Sequence, residues 1–263
     1  MEILKSFKIF NTQLKNNWVR QLIYRTNFVT SVIVDFIWLV IEASFFTVIY
    51  GHTETLAGWS QDQVYYFLGV FFASDALFTL FFGTGFWTFP DLVNKGELDI
   101  VLTKPAPVLL LTLTRSMSLT AVFNFIFGFL IIFHYGSILG LNSLSHWLIT
   151  FFWLITGLLS QVLLRFFFCV WIFWTDRGFS LSMLYYKLFS LATKPDAMYP
   201  YYIRYIILTA LPFAFIGSVP ARALISGLST KEFLSVFFIL SILFFINATL
   251  WKKGLKRYQS ASS

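Results

Sequence analysis

Long apolar runs constrain the fold of this 263-residue chain more than any other feature of its sequence. A helix that crosses a membrane needs about 20 mostly apolar residues, and several runs reach that length. A transmembrane barrel would instead show strands of about ten residues with alternating polarity, which these runs lack. We therefore predict an all-α integral membrane protein with six transmembrane helices, at about 28–50, 64–83, 116–139, 147–174, 203–219 and 232–251.

The composition agrees with a membrane protein and excludes other classes. Hydrophobic residues make up 58% of the chain and charged residues 12%, against about 25% charged residues in soluble domains. The same composition excludes a disordered chain. The net charge of +7 does not indicate nucleic-acid binding, because the Lys and Arg residues lie between apolar runs and not on one soluble face.

The distribution of cations predicts the orientation of the spans. Short cytoplasmic flanks carry the excess of Lys and Arg in membrane proteins. Sixteen cations fall in the N-terminal segment, the second and fourth connections and the C-terminus, whereas the other connections hold only Arg222 and Lys231. Both termini are therefore expected in the cytoplasm, which requires an even number of spans. The sixteen cations are Lys5, Lys8, Lys15, Arg20, Arg25, Lys95, Lys104, Arg115, Arg177, Lys187, Lys194, Arg204, Lys252, Lys253, Lys256 and Arg257.

Residues 1–25 are expected to form a separate amphipathic helix that lies in the membrane interface. Their apolar residues recur at steps of three or four, with basic residues between them. A disordered basic tail is the alternative, and the regular spacing disfavours it. Residues 26–263 are interpreted as a single transmembrane domain. The apolar positions of the first segment are Ile3, Phe7, Phe10, Leu14, Trp18 and Leu22.

The connection between the second and third spans, residues 86–113, combines short helices with charges. Pro90 suits a first helical position and Gly96 suits a helix end, which predicts a short helix over 90–95. A second amphipathic piece follows over 97–102, and Pro105 separates it from the third span. The apolar residues of these pieces are expected to form an exposed rim, which serves either as a docking surface or as a contact with lipid. The rim consists of Leu92, Val93, Leu98 and Leu102.

Two runs of this chain resemble signatures of a known family. The run LVNKGELDIVLTKPAP, residues 92–107, resembles the cytoplasmic signature of six-span ABC-2-type permeases, in a subfamily formerly classed as a domain of unknown function. The later run PDAMYPYYIRYIILTALPFAFIGSVPARALI, residues 195–225, resembles the second signature of the same subfamily. The resemblance in hydropathy extends over the whole chain.

The resemblance implies a transport subunit of the bacterial inner membrane that has no ATPase activity of its own. It implies a partner ATP-binding subunit, which carries ATP and Mg²⁺, and a second permease copy, either identical or paralogous. The sequence contains no phosphate-binding motif of the form G-x-x-x-x-G-K-[ST]. In the family, the connection after the second span acts as a coupling helix against the ATPase. The matching positions here are Asp91, Leu92, Lys95, Glu97, Leu98 and Asp99.

Four ionisable residues fall inside the predicted spans: Asp35, Glu42, Asp75 and Arg165. Each costs about 2.5–3.5 kcal/mol at the centre of a membrane helix, so none is expected to face lipid. One hypothesis places them along a polar translocation path. The alternative is that Arg165 forms an ion pair with one of the three acids and joins the helices. On the first span, the acids share a polar stripe with Asn27, Ser31 and Trp38.

The region from residue 175 to residue 231 is compatible with more than one topology. Residues 179–192 are too short to span alone and are interpreted as a cytoplasmic interfacial helix or an extension of the fourth span. Pro212 predicts a kink in the fifth span. Residues 220–231 are interpreted either as an extracellular re-entrant segment or as a surface loop, with Arg222, Leu224 and Ile225 as its candidate functional residues.

These features bear on three classes of function. An ABC exporter permease agrees with the family signatures. A stand-alone secondary transporter or channel would use the intramembrane acids, although such proteins often contain internal repeats, and none is detected here. A lipid enzyme embedded in the membrane would need clustered catalytic groups at one membrane face, and the sequence contains no such cluster. The sequence indicates no cofactor bound by this chain and no nucleic-acid partner.

Overall fold

The computed structural model describes residues 2–23, 25–175 and 178–258, and within them the chain forms helices and no strands. The α-helices are α1 (Glu2–Ile23), α2 (Arg25–Tyr50), α3 (Gln61–Phe78), α4 (Thr84–Asn94), α5 (Leu98–Leu102), α6 (Val108–Leu113), α7 (Ala121–Ile138), α8 (Leu144–Cys169), α9 (Gly178–Phe189), α10 (Tyr201–Leu208), α11 (Ser218–Ser226) and α12 (Thr230–Arg257). A π-helical turn, Thr79–Gly83, joins α3 to α4, and 3₁₀ turns extend α8 over Val170–Phe173 and α9 over Ser190–Ala192.

Five helical stretches of the described chain are long and apolar enough to cross a membrane. They confirm that long apolar helices lie where spans were predicted, at 28–50, 64–83, 116–139, 147–174 and 232–251. The second stretch is longer than predicted, because the helix continues through the π turn as far as Asn94. The stretches are Thr26–Tyr50, Gln61–Asn94, Ala121–Ile138, Leu144–Phe173 and Thr230–Arg257.

Pro90 lies inside α4 and not at a helix start, so the prediction of a helix beginning at residue 90 is wrong. A proline within a helix leaves the carbonyl four residues earlier without its usual donor. Here that carbonyl belongs to Phe86, and the Cys169 thiol of α8 donates to it at 3.7 Å. The neighbouring helix therefore satisfies the group that Pro90 leaves free, and α4 continues to Asn94.

The helices form a bundle with two ends, which we call apical and basal. The apical end contains the loops at 51–60, 140–143 and 227–229. The basal end contains α1, the segment from Lys95 to Thr120 and the end of α12. In α1, Gln13 donates to the Leu111 carbonyl at 3.3 Å and Asn17 to the Arg115 carbonyl at 3.3 Å. The predicted N-terminal helix is thus present and packs on the basal connections.

The bundle is built on a close crossing of α3 and α7. Gly69 and Gly128 face each other, and a Cβ added to Gly128 would lie 2.7 Å from the Ala73 amide nitrogen. Small residues at such a crossing let two membrane helices approach backbone to backbone. On the other side of α3, an added Cβ on Gly157 of α8 would lie 2.7 Å from Ser74 Oγ. Helix α3 is accordingly the buried centre of the bundle.

The predicted fifth span at 203–219 is wrong: no continuous helix occupies it. Arg204 Nε donates to Asp196 Oδ2 at 2.8 Å, and Arg222 Nη1 donates to the two Asp196 oxygens at 3.1 and 3.0 Å. A straight helix would separate Arg204 from Arg222 by about 27 Å. The chain therefore leaves the level of Asp196 and returns to it, and we call residues 196–226 the apical hairpin.

The tip of the apical hairpin reaches deep into the bundle. Ser160 Oγ of α8 donates to the Pro212 carbonyl at 3.0 Å, whereas His146, near the apical start of α8, contacts the Leu224 carbonyl at 3.1 Å. These two levels of α8 are about 21 Å apart. Proline breaks the helix at the tip. Beside the tip, a Cβ added to Gly217 would lie 2.9 Å from the Cβ of Phe71, so a residue larger than glycine would collide with α3.

Helix α9 connects the two ends of the bundle, and the interpretation of residues 179–192 as a cytoplasmic interfacial segment is wrong. Its first half is near the basal end of α8, where the Ser182 carbonyl accepts a hydrogen bond from Arg165. After its last turn, Lys194 lies 5.0 Å from the Phe45 ring centroid near the apical end of α2. Helix α9 and its 3₁₀ extension together measure about 24 Å, which is enough to connect the two levels.

This path changes the predicted distribution of cations. Lys194 and Arg204 lie at the apical end, together with Arg222, and not with the cations that were predicted to share the cytoplasmic side. Lys187 lies within α9, between the two ends. Arg177 lies outside the described residues, and the side chains of Lys5, Arg20 and Arg25 are not among those described. The remaining cations of the predicted group are at the basal end.

Candidate functional site

Asp75, the acid of the second span, lies in the interior of the bundle and is held by an amide. Gln161 Nε2 of α8 donates to Asp75 Oδ1 at 2.6 Å. Gln161 itself is 1% exposed, and its Oε1 atom has no hydrogen-bond partner among the described residues. Asp75 and Gln161 therefore present acceptor oxygens that the described part of the protein does not fully satisfy.

Arg165 forms no ion pair with any described acid, contrary to the predicted pairing with Asp35, Glu42 or Asp75. Its guanidinium carbon lies 4.7 Å from the Tyr185 ring centroid and 4.5 Å from that of Tyr186. Its Nη1 atom donates to the Ser182 carbonyl at 3.1 Å. Arginine stacks well on aromatic faces because its planar cation is weakly hydrated. Helix α9 thus stabilises a cation that is only 1% exposed.

A cavity of about 330 Å³ opens beside these residues, between α3, α4, α8 and α9. Asp75, Gln161 and Tyr185 line its inner wall, and Gln161 and Tyr185 are almost fully buried. Trp87 and Tyr186 lie at its outer edge, where they are 46% and 43% exposed and their ring centroids are 5.5 Å apart. The cavity therefore combines a polar inner wall with an aromatic entrance.

The π-helical turn Thr79–Gly83 forms part of the wall of this cavity, through Thr79 and Gly83. Such turns insert one extra residue into a helix and are frequent at functional sites. The turn also shifts the faces of α4 relative to α3, so that both helices present residues to the same cavity. Sequence patterns gave no indication of this turn, because its residues are as apolar as the rest of the span.

The polar stripe predicted on α2 is only partly turned toward the bundle. Asn124 Nδ2 of α7 donates to Asp35 Oδ2 at 2.9 Å, and the Glu42 carboxylate is attracted by Lys194. Trp38 is instead 57% exposed. Because only 6% of the most apolar stretch of α2 is buried, this helix lies at the edge of the bundle.

A buried charge cluster around Asp196 was missed in the sequence. The Asp196 side chain has no exposed surface and contacts Arg204, Arg222 and the Ser218 hydroxyl. Burial raises the pKa of Asp196, but Arg222, Ser218 and Arg204 outweigh that effect and hold the pKa below its usual range. Arg222 also lies 3.8 Å from Glu232 of α12. The cluster joins both ends of the apical hairpin to α12.

The residues of the predicted re-entrant segment therefore make packing and polar contacts inside the bundle. Arg222 belongs to the Asp196 cluster, Leu224 is 4% exposed with its carbonyl on His146, and Ile225 packs against the core. The hairpin that contains them starts earlier than the predicted 220–231. The sequence signal that could have indicated this cluster is the set of closely spaced charges at Lys194, Asp196 and Arg204, which is interrupted by prolines.

The predicted coupling residues divide into an exposed set and a buried set. Asp91, Lys95 and Glu97 are exposed around the turn at Gly96, whose φ is +72°. Glu97 Oε2 accepts from Arg115 at 3.3 Å. Leu92, Val93 and Leu98 are buried, so the predicted exposed rim is wrong for these three.

The exposed apolar residues of this basal surface are Ile100, at 63%, and the predicted Leu102, at 41%. The buried residues pack in one cluster with Phe173 and with Trp251 of α12. Asp99 is partly buried. The α4–α5 turn, residues 91–102, therefore presents charges outward and is held to the bundle by its leucines.

Among the described residues, no group of three or more His, Cys, Asp or Glu side chains is arranged to hold a metal ion. Cys169 is buried against Phe86.

Comparison with known proteins gives one family match. A family model described as "ABC-2 family transporter protein" matches residues 36–262. No curated protein and no solved structure matches the chain.

Proposed function

Because this chain belongs to the ABC-2 family of transporter proteins, we propose that it is the membrane permease of an ATP-binding cassette exporter, driven by a separate ATPase subunit. The family match over residues 36–262 is the observation that carries the proposal. The five long apolar helices agree with it, since they make the chain a multi-pass membrane protein.

In the proposed topology, α9 is the fifth of six crossings and the apical hairpin enters the membrane from outside. Six crossings place both termini on one side. The basal end, which retains most of the cations, is then cytoplasmic. Residues 26–263 form one transmembrane domain in this arrangement, and α1 lies in the inner interface of a bacterial inner membrane.

The α4–α5 turn is the proposed contact with the ATPase. Asp91, Lys95 and Glu97 are exposed there and offer charges to a soluble partner. Leu92 and Leu98 act behind them, because their burial against α8 and α12 connects the turn firmly to the bundle. A push on the turn would pass directly into α4 and, through the π turn, into α3. ATP and Mg²⁺ bind to the partner subunit in this scheme, and this chain binds no cofactor.

A second permease copy, identical or paralogous, completes the proposed assembly. Helix α2 is the surface that most needs a partner, because it exposes a long apolar face together with Asn27, Ser44 and Thr47. Polar side chains on a membrane helix are more readily accommodated against another helix than against lipid. Membrane lipids cover the rest of the apolar surface.

Affinity purification of the tagged chain from its own cell membranes tests the proposal. We expect an ATP-hydrolysing subunit to elute with the wild-type chain. Glu97→Lys reverses a charge on the α4–α5 turn and should remove that subunit without preventing membrane insertion. Glu54→Lys makes the same change in the exposed apical loop and should retain it. Retention of the ATPase by Glu97→Lys, or its absence from the wild type, would contradict the proposal.

The carboxylates inside the bundle favour one second candidate, a secondary transporter or channel. Asp35 and Asp75 are held by amides, and neither has a cation within ion-pair distance among the described residues. Such groups can carry protons or cations across a membrane. Flux through proteoliposomes that contain only this chain would support this alternative, whereas a requirement for ATP and a partner subunit would exclude it.

A further inference from the structure

The inner wall of the α3–α4–α8–α9 cavity is rich in hydrogen-bond acceptors. Asp75 contributes a carboxylate, and the Gln161 amide uses one of its two N–H donors on that carboxylate. Gln161 Oε1 is buried without a hydrogen-bond partner among the described residues, and the buried Tyr185 hydroxyl lies within reach of the Gln161 amide. Buried polar atoms are nearly always satisfied, and the Tyr185 hydroxyl can donate as well as accept, so the Asp75 carboxylate and the Gln161 oxygen are the acceptors that a ligand with donor groups would complete.

The charges around the cavity favour a cation over an anion. Asp35 lies close enough to Asp75 for their carboxylates to repel each other, which adds to the negative potential at the inner wall. The nearest buried cation, Arg165, does not line the cavity. Its guanidinium lies against the rings of Tyr185 and Tyr186 and donates to the Ser182 carbonyl. Among the described residues that line the cavity, Asp75 is the one with a carboxylate, and none is a lysine or an arginine.

The remaining wall suits an apolar, flat body. Phe78, Phe189 and the Trp87–Tyr186 pair contribute aromatic surface between the inner wall and the entrance. Tryptophan binds cations well with its face and apolar rings with its edge and face. The volume of about 330 Å³ is at the lower limit for drug-sized ligands, which occupy pockets of about 300–1,000 Å³.

We propose that this cavity binds an amphiphilic organic cation, with amine or amidine donors on Asp75 and Gln161 and an aromatic or aliphatic body against Trp87 and Phe189. The inference names a substrate class for the transporter and rests on its proposed role as a permease. The binding site itself lies within one chain, so it can be tested without the ATPase.

The test uses the full chain in nanodiscs of phosphatidylcholine, which carries no net charge and so attracts no cations. Ethidium, an aromatic cation with two amino groups, is the probe, and its fluorescence reports binding. 8-Anilinonaphthalene-1-sulfonate, an aromatic anion, is the matched comparison. We expect saturable ethidium binding that exceeds binding of the anion.

Two variants change the site in different ways. Asp75→Asn keeps the shape and an acceptor for Gln161 but removes the charge, and it should weaken ethidium binding about tenfold or more. Gly83→Leu keeps the charge and fills the cavity. The three atoms nearest to a Cβ at Gly83 belong to the Thr79 side chain and lie at 3.5–3.6 Å, which is ordinary van der Waals contact, so the backbone accommodates it. Asp62→Asn, at the apical start of α3, is the control and should bind as the wild type does.

Ethidium binding by Asp75→Asn at wild-type affinity would overturn the proposal, as would equal binding of the anion or no saturable binding by the wild type. Should Asp75→Asn fail to fold, undiminished binding by Gly83→Leu would have the same meaning. None of these results depends on the ATPase. If the chain does not bind the cation but an ATPase copurifies with it, only the substrate class is refuted. If the chain binds the cation but no ATPase copurifies with it, only the permease role is refuted.

Discussion

Replacing Asp196 by asparagine should loosen the apical hairpin, because it removes the charge to which both ends of the hairpin are bound. Asp196 is fully buried, and Arg222, which is 23% exposed, contacts both of its oxygens. Removing one member of a buried ion pair costs about 3–5 kcal/mol. Arg204 is 41% exposed and Arg222 is partly exposed, so water screens both cations. The expected loss of stability is therefore at the lower limit of that range, about 3 kcal/mol.

Thermal unfolding of the purified chain measures this effect. For a chain of this size, about 3 kcal/mol corresponds to a decrease in Tm of roughly 6–12 °C. Glu54→Gln, in the apical loop, is the control and should leave Tm unchanged. In a double-mutant cycle, Asp196→Asn combined with Arg222→Gln should cost less than the sum of the single changes. An unchanged Tm for Asp196→Asn, or strictly additive effects, would refute the cluster as the anchor of the hairpin.

The pH dependence follows from the depressed pKa of Asp196. Because its folded-state pKa lies below the ordinary value of 3.8, its contribution is fully present above that value and is lost as the pH falls through the folded-state pKa. The difference in Tm between wild type and Asp196→Asn should therefore be constant from pH 5 to pH 8, and it should shrink only below about pH 4. A difference that disappears near pH 6 would contradict this assignment.

The other predictions concern topology and packing. Lys194→Cys should react with a membrane-impermeant maleimide from the side opposite to Lys104→Cys; reaction from the same side would mean that α9 does not cross. Gly128→Leu should lower stability by about 1–3 kcal/mol or prevent folding, because its Cβ would lie 2.7 Å from the Ala73 nitrogen; a normal yield of monodisperse protein would refute that crossing. Arg165→Lys keeps the charge but loses the planar stacking on two rings, and it should lower stability by about 1–2 kcal/mol; an unchanged Tm would show that the stacking contributes nothing.

Run length and turn chemistry predicted much of this fold correctly. Five of the apolar runs are the five long helices, because about 20 apolar residues in one run are readily stable as a membrane helix. Gly96 ends α4 with a positive φ, as its position indicated. These features depend on local sequence, so one sequence suffices to predict them.

The apical hairpin and α9 depend on contacts that are distant in sequence. Residues 203–219 have the hydropathy of a spanning helix, but Pro212 and the bonds of Arg204 and Arg222 to Asp196 fold them back. Helix α9 is too short to be recognised by hydropathy. Hydropathy measures the apolar character of a segment and not its direction, so it could not show that residues 203–219 fold back on themselves.

The candidate site shows the same limitation. Asp75 and Arg165 were expected not to face lipid, and both lie in the interior of the bundle. The partners predicted for them were wrong. Charge alone suggested an ion pair, whereas the structure gives Asp75 an amide and Arg165 two tyrosine rings. Aromatic partners of a buried arginine have no signature in a chain that contains 34 Phe, 12 Tyr and 9 Trp.

The central claim is that this chain is driven by a separate ATPase through the α4–α5 turn, and the rate of ATP hydrolysis by that subunit tests it most directly. The rate is measured for the isolated ATPase and again after addition of nanodiscs that contain wild-type chain or Glu97→Lys. We expect the wild-type chain to change the rate several-fold and Glu97→Lys to leave it at the value of the isolated subunit. An ATPase whose rate is the same with and without the wild-type chain would contradict the claim.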